Sequence, residues 1–393
     1  MNIKNCIITL CLFLSSVLAK SSFAQSSSPI KCTLKGEVID RPQSSKLLLL
    51  KEGEDPRINA VYIPINDRKF EYILNCEYEE LYNLIFNDEF ERGVMRRIPF
   101  FSENGIINFT LHPFDQPEKN IVEGDKLNRE YIDYRNEILN KAQEFEPNKS
   151  IDEKVKQQIN ENGWLNAETY PLYLQIVRED LVYQEWLRWK IQYIGTHSNI
   201  VGYSILVSET MSEKDKTSDF SQFADVFQTV FAPKYPDHPY TAKMTNLLIG
   251  SSLKAGVSFI DFTTGDLTGK PVKLSERISG KPAVLHLWAS WCGPCRKHGK
   301  ELIPVYEEFR DKGFVVIGVA RERNTPAAAE AAIKMDGYHW ENLVELNDTE
   351  QIWNKYGVGN GGGEVFLIDE KGIIVAISPT VEEIRKFLLD KYK

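Results

Sequence analysis

The sequence has little cysteine, no run of basic residues and no cluster of metal-binding side chains. Its 393 residues include 47 Lys and Arg against 56 Asp and Glu, a net charge of −9, so nothing supplies the cationic surface that nucleic acid requires. The cysteines and histidines form neither a second Cys-X-X-Cys nor a closely spaced histidine pair, which a zinc site would need. We therefore expect no nucleic-acid partner, no metal and no cofactor.

Long apolar runs are also missing, apart from one near the start. The run from Cys6 to Ala19 follows Lys4, and small residues up to Ala24 precede Gln25. This order is typical of a cleaved signal peptide over residues 1–24, whereas a retained anchor is disfavoured because the run is short for a bilayer. We expect export to the periplasm or cell envelope. A lipid anchor is disfavoured, because no cysteine directly follows the run.

Four cysteines remain after residue 24. Export makes disulfides chemically permissible. Cys32 and Cys76 lie more than forty residues apart, and that separation says nothing about their distance in space. We predict two independent thiols there rather than a bridge.

The remaining sequence is long enough for several domains, and its first part, residues 32–115, is rich in short β-favouring runs. Clusters of Asp, Asn, Gly and Pro separate these runs, a pattern that predicts a small antiparallel sandwich or barrel without a catalytic constellation. The predicted strands are Thr33 to Ile39, Leu47 to Leu50, Ala60 to Ile63, Lys69 to Leu74, Leu81 to Phe86 and Ile106 to Leu111.

Residues 122–250 change to a helical period. Between Tyr170 and Ile194, apolar residues recur at spacings near three, four and seven, namely Leu172, Ile176, Tyr183, Trp186, Leu187 and Ile191. The aromatic stripe of Trp186, Trp189 and Tyr193 could line a peptide groove. A stripe at this spacing is more often core packing, and we interpret it so.

The last part, residues 252–393, has an α/β pattern. An apolar strand at 283–289, a helix at 292–310 and a second apolar strand at 314–320 form a βαβ unit, which implies parallel pairing. We predict a helix capped by Asp348 with Gln351, and a capping box of Thr380 with Glu383. A hairpin turn follows Ile368.

The most specific signal is Trp291-Cys292-Gly293-Pro294-Cys295, at the point where the strand gives way to the helix. A thiol at a helix N-terminus faces unpaired amides and the positive end of the dipole, which favour the thiolate. We therefore predict Cys292 as the attacking nucleophile and Cys295, one turn on, as the resolving thiol of a redox disulfide. A zinc half-site and a structural disulfide are the alternatives, but such a short loop stabilises little.

At these residues the sequence resembles the thioredoxin superfamily, and more closely the TlpA/ResA-like thioredoxins that are also described as AhpC/TSA. The resemblance covers residues 252–393 and includes Gly313 to Val319 and Tyr356 to Asp369. Residues 32–114 resemble the β-domain found ahead of thioredoxins in Bacteroidetes-type proteins. The resemblance implies an α/β thioredoxin-like C-terminal domain with a central mixed sheet flanked by helices, after a small all-β domain and an α-helical middle segment.

Three positions depart from the family pattern. Gly363 stands where such proteins usually carry a cis-proline, and since a cis bond without proline costs about 2.5–4 kcal/mol, we predict a trans, glycine-adapted docking loop. His286 stands where Asp or Asn is common, and His298 where Glu is frequent. Imidazoles titrate near neutrality, so both histidines are candidate proton carriers for Cys295. The alternative is a hydrogen-bonded core residue at His286 and an exposed helix residue at His298.

The resemblance implies an exported thiol–disulfide oxidoreductase that acts on protein thiols and disulfides. The dipeptide Gly293-Pro294 matches that of reducing thioredoxins, whose reduction potential is about −270 mV. We therefore favour a reductase that receives its electrons from a membrane thiol–disulfide carrier. An AhpC/TSA-type thiol peroxidase is the enzymatic alternative, but Ala289 stands where a peroxidase would have Thr or Ser. A non-catalytic envelope binding or scaffold protein is the other alternative. The sequence predicts no oligomeric state.

Overall fold

The structure is a computed structural model that describes residues 29–142, 170–213, 219–360 and 362–393, with the backbone alone for 170–181. The predicted signal peptide and the side chains of Leu172 and Ile176 lie outside the described residues. The described chain forms two four-stranded sheets, a helical region and a seven-stranded sheet. None of the helices in these ranges combines the length and apolar character needed to cross a membrane.

The first region is a β-sandwich. One sheet has the order β4-β1-β7-β8 and the other β3-β2-β5-β6. Alternate side chains of β1 point inward because successive residues of a strand face opposite sides, and they meet the inward face of the second sheet in one apolar core. The strands are β1 (Ile30–Val38), β2 (Lys46–Lys51), β3 (Val61–Pro64), β4 (Lys69–Cys76), β5 (Leu81–Phe86), β6 (Ile98–Phe101), β7 (Gly105–Leu111) and β8 (Ile121–Glu123), with the short helices α1 (Pro56–Asn59) and α2 (Asn87–Glu91).

The six predicted strands are present as β1–β5 and β7, but the expected all-antiparallel pairing is wrong. β1 pairs in parallel with β7, with Leu34 opposite Ile107. Two strands were missed because their sequence signals are weak: β6 contains Pro99, and β8 is a three-residue edge strand. Since β8 pairs with β7, the sheet extends past residue 115.

The helical region shares its core with the sandwich. Leu81 and Phe101 of the sandwich pack in the same apolar cluster as Leu187 and Phe231, and the Leu81 N–H donates to the hydroxyl of Tyr240 at 2.7 Å. A π-helical turn, Phe227–Phe231, interrupts the region. The helices are α3 (Lys126–Ala142), α4 (Tyr170–Thr196), α5 (Ile200–Glu213), α6 (Ser221–Val226), α7 (Ala232–Lys234) and α8 (Pro239–Ser251).

The aromatic stripe of α4 stacks on itself at the edge of this core. Trp186 and Trp189 lie 5.3 Å apart between ring centroids, and Trp189 and Tyr193 lie 5.1 Å apart. All three are half-buried, whereas Leu187 and Ile191 on the same helix are buried.

The C-terminal part is a mixed sheet with helices on both faces, as expected. The sheet order is β10-β9-β13-β12-β11-β14-β15, and β11 pairs in parallel with β12, which confirms the βαβ unit. Each face of the sheet carries its own apolar core. The strands are β9 (Thr263–Asp266), β10 (Pro271–Lys273), β11 (Ala283–Trp288), β12 (Val315–Glu322), β13 (Glu341–Leu346), β14 (Glu364–Ile368) and β15 (Ile374–Ile377), and the helices are α9 (Leu274–Ile278), α10 (Gly293–Phe309), α11 (Ala327–Asp336), α12 (Ile352–Lys355) and α13 (Val381–Lys391).

One predicted helix cap is confirmed and one is wrong. Thr380 and Glu383 form the capping box of α13. By contrast, α12 has only four residues, and its N-cap Gln351 makes no capping hydrogen bond. The carboxylate of Glu345, on strand β13, accepts the Ile352 N–H at 3.0 Å instead. A tertiary contact thus replaces the local cap.

Candidate redox site

The two cysteines of the motif lie at the N-terminus of α10, directly after the central strand β11. Cys292 is the N-cap residue, and its Sγ accepts the N–H of Cys295 at 3.3 Å. The two cysteines are disulfide-bonded, with Cα atoms 5.3 Å apart. Pro294, within the first turn, lacks an N–H that would otherwise be unpaired there. The helix therefore directs its free amides and the positive end of its dipole at Cys292.

A glycine loop lies against the other side of the disulfide. The Gly363 N–H donates to Sγ of Cys295 at 3.2 Å, while the Gly362 carbonyl accepts the Trp353 indole N–H at 2.9 Å. A Cβ on Gly363 would lie 1.8 Å from the Leu287 carbonyl oxygen, so only glycine fits this backbone. The described residues contain no cis peptide bond. The glycine loop thus brings an amide donor to the resolving sulfur.

His286 lies on β11 in the interior, 99% buried, with its ring against the backbone of Cys295. Burial lowers its pKa to about 3, and the neighbouring His298 acts in the same direction. Titration near neutrality, as expected from the sequence, is therefore wrong for this residue: the imidazole is neutral at pH 7, because a buried cation would lose its hydration. His286 thus lies in the core, as the alternative interpretation expected, and the backbone of Cys295 opposes part of the fall in its pKa.

His298 is half-buried on the first turns of α10, rather than exposed. One ring nitrogen, Nε2, contacts the Pro379 carbonyl at 3.2 Å. Its ring centroid lies 6.0 Å from that of His286. Since a carbonyl only accepts, Nε2 carries the proton, which leaves Nδ1 as an acceptor in the neutral ring.

A buried acid, which the sequence interpretation missed, holds the loop ahead of the cysteines. Glu322 accepts the Ser290 N–H at 2.7 Å and the Ser290 hydroxyl at 3.0 Å, and burial raises its pKa. Arg296 donates to the Ser290 carbonyl at 3.3 Å. Glu322 ends β12, and side chains at the carboxyl ends of parallel strands converge on one edge of a sheet. The place of Glu322 at the end of a parallel strand could therefore have identified it from the sequence as a residue of the site.

The second cysteine pair lies far from this arrangement in sequence and sits in the sandwich core. Both Cys32 and Cys76 are free. Burial raises the pKa of Cys32 to about 11 and also raises that of Cys76. No group of three His, Cys, Asp or Glu side chains suited to a metal ion occurs in the described ranges.

The mixed sheet and the disulfide at the N-terminus of α10 define a thioredoxin-like domain of the oxidoreductase class. Two family models match the chain: residues 255–377 match the AhpC/TSA family, and residues 32–131 match a domain of unknown function, DUF4369. The C-terminal domain is therefore an AhpC/TSA-type, thioredoxin-like domain, and the resemblance to TlpA/ResA-like thioredoxins is confirmed. The likeness of the first region to a Bacteroidetes-type domain stays a prediction.

Similar proteins carry oxidoreductase names. The thiol-disulfide oxidoreductase ResA of Bacillus thuringiensis is 28% identical over 123 residues, which are 31% of this chain and 68% of the relative. The thiol:disulfide interchange protein DsbE of Pseudomonas fluorescens is 28% identical over 120 residues, 30% of this chain and 63% of the relative. Among solved structures, the thioredoxin domain of a thiol-disulfide oxidoreductase from Bacteroides vulgatus has 27% identity and a TM-score of 0.32, covering 36% of this chain and 99% of that one.

Proposed function

We propose that this protein is an exported reductase of protein disulfides, with Cys292 as nucleophile and Cys295 as resolving thiol. The observation that carries the proposal is the placement of the two sulfurs. Cys292 caps α10 and accepts an amide N–H, while Cys295 accepts the amide of Gly363. Both sulfurs thus face donors that stabilise a thiolate more than a neutral sulfur.

The reaction proceeds in two exchange steps. The Cys292 thiolate attacks one sulfur of a substrate disulfide, so that a mixed disulfide forms and the other substrate sulfur leaves as a thiolate, which takes up a proton. Cys295 then loses its proton and attacks Sγ of Cys292. The Cys292–Cys295 bond closes and the second substrate thiol leaves, so the substrate gains two electrons that the enzyme loses.

His286 and His298 are the proposed proton carriers for Cys295. The contact of His286 with the backbone of Cys295 and the 6.0 Å between the ring centroids of the two histidines support this role. Because His286 holds a proton weakly, the proton of Cys295 passes through it only transiently, toward His298 and the surface. Trp291, Gly293 and Pro294 shape the surface around the attacking sulfur.

Export, by the signal peptide at residues 1–24, places the reductase in an oxidising compartment, and its oxidised form then needs an electron source. A membrane thiol–disulfide carrier is the proposed donor, because a dithiol on the membrane can deliver cytoplasmic reducing equivalents across it. The names of the relatives, oxidoreductase and interchange protein, support protein thiols and disulfides as substrates. The reducing direction is supported by Gly293-Pro294 between the cysteines.

The deciding experiment is insulin reduction with dithiothreitol as donor. The wild type should accelerate turbidity, Cys292→Ser should lose this activity, and Cys295→Ser should accumulate a mixed disulfide on Cys292 with exported proteins. Cys76→Ser serves as the matched control and should retain activity. A wild-type protein without insulin reduction, or a Cys295→Ser variant without disulfide-linked partners, contradicts the proposal.

A further inference from the structure

A segment of the sandwich, Gly53–Ala60, reaches the redox site from the opposite end of the chain. It links β2 to β3 and contains α1. Its contacts fall on four separate parts of the C-terminal domain: the residue before Cys292, the ends of β12 and β13, and the glycine loop. The contact pairs are Arg57 with Trp291 and with Asn360, Gly53 with Asn360, Asp55 with Arg321, Asn59 with Asn347 and Ala60 with Arg323.

A buried acid anchors this segment. Asp55 is fully buried, and its carboxylate accepts two hydrogen bonds from Arg57, one from Nε at 2.9 Å and one from Nη2 at 2.7 Å. Its second oxygen lies 3.5 Å from Nη1 of Arg321, which in turn is paired with Asp348 at 2.5 Å. A bidentate pair of this kind fixes the plane of the guanidinium. Arg57 is therefore held in one orientation.

The fixed guanidinium touches both chain segments that flank the disulfide. Its carbon atom lies 3.6 Å from the ring centroid of Trp291, next to Cys292. Nη2 also donates to the carbonyl of Asn360, three residues before Gly363. A cation over an indole face is attractive. One side chain of the sandwich thus sets the position of the indole and of the glycine loop together.

Access to the attacking sulfur depends on these same groups. Cys292 retains 5% of its surface exposed, and a Cβ on Gly362 would lie 3.4 Å from its Sγ. The side chain of Arg57, by contrast, is 36% exposed. Arg57 thus lies beside Trp291, the residue before Cys292, and is exposed enough to contact a polypeptide whose disulfide reaches Cys292.

We propose that Gly53–Ala60 is part of the docking surface for polypeptide disulfides, with Arg57 as a positioning residue for Trp291. This inference rests on the proposed reductase function and names the surface that its substrate uses. Arg57 does not contact either sulfur, so it acts on the binding of the polypeptide around the disulfide. A small disulfide, which reaches only the sulfur, does not use this surface.

The test compares Arg57→Ala with the wild type on two substrates. The KM for insulin should rise about fivefold to tenfold, because a cation–π contact and a hydrogen bond are lost, with kcat unchanged. The rate constant with which hydroxyethyl disulfide oxidises the pre-reduced protein should not change. Arg57→Lys should give an intermediate KM, since it keeps the cation but not the planar fork.

Arg92→Ala is the matched control, because among the described residues the side chain of Arg92 contacts Asp88 and Phe114 alone, both in the sandwich. This variant should match the wild type on both substrates. Equal losses with insulin and the small disulfide would show general damage to the site and overturn the inference. An unchanged or lower KM of Arg57→Ala for insulin would also overturn the inference. If the wild type itself fails to reduce insulin, the proposed function fails instead.

Discussion

The backbone N–H of Gly363 donates a hydrogen bond to Sγ of Cys295 at 3.2 Å. A proline at this position would have no N–H to donate. The glycine therefore adds a donor beside the resolving thiol, at the position where the thioredoxin resemblance predicts proline.

The first prediction concerns this donor. Gly363→Pro should slow the resolving step about tenfold or more, because the attacking thiolate of Cys295 loses a hydrogen bond, and a hydrogen bond to a charged group contributes about 1.5–3 kcal/mol. The measurement is release of the second thiol from a mixed disulfide on Cys292, followed by acid quench and mass spectrometry. Gly363→Ala is the control, since its Cβ meets the same Leu287 carbonyl but the N–H remains. Equal rates in the two variants would contradict the assignment.

The second prediction concerns pH and His286, whose folded-state pKa is about 3 against 6.5 for an exposed imidazole. Between these values the unfolded chain binds a proton that the folded chain does not. The free energy of unfolding should therefore fall as the pH drops below 6.5, and His286 should contribute up to about 1.4 kcal/mol of this fall per pH unit. Above pH 6.5 the contribution of His286 should not change with pH.

Urea unfolding of His286→Leu checks this, with a shallower decline expected between pH 6.5 and pH 4 than in the wild type. Some decline should remain, because burial also lowers the pKa of His238 to about 4. Parallel curves for the variant and the wild type would refute the prediction.

The third prediction concerns the contact between the sandwich and the redox domain. Asp55→Asn removes a buried carboxylate shared by Arg57 and Arg321. Breaking a buried ion pair leaves a charge uncompensated, so we expect a loss near the lower end of the usual range, about 3 kcal/mol. Thermal and urea unfolding measure it. Glu71→Gln, which changes an exposed pair with Lys35, is the control and should have little effect on stability. Equal losses of stability in the two variants would contradict a stabilising role for the buried Asp55 carboxylate.

The fourth prediction concerns Cys32 and Cys76. The register sets Ile30 opposite Cys76 and Cys32 opposite Leu74, so the two cysteines are diagonal neighbours. Diagonal Cα atoms in antiparallel strands are typically about 7–8 Å apart, at or beyond the limit for a disulfide. We expect both thiols to remain free after mild oxidation closes Cys292–Cys295. Alkylation under denaturing conditions with peptide mapping tests this, and a peptide linking Cys32 to Cys76 would disprove it.

The strands of the sandwich could be predicted because their signal is local. The alternation of apolar and polar residues, together with the turn residues, predicted β5 with its observed bounds, Leu81–Phe86, and most of the other strands of the sandwich. The parallel pairing of β1 with β7 could not be predicted, because it joins segments about seventy residues apart in sequence. The predicted cap of α12 was wrong for a different reason: the acceptor is Glu345, seven residues before Ile352, and it reaches the helix only because the chain turns between β13 and α12.

The sequence by itself predicted the thiol pair, because an apolar strand, two cysteines one helical turn apart and a helical pattern follow one another along the chain. Only the tertiary structure decided what surrounds them. It buries His286 and thereby lowers its pKa, directs the Gly363 amide at Cys295, and lays Arg57 on Trp291. The physical reason is that capping and dipole effects depend on neighbours in sequence, whereas desolvation and side-chain contacts depend on residues that meet only when the chain folds.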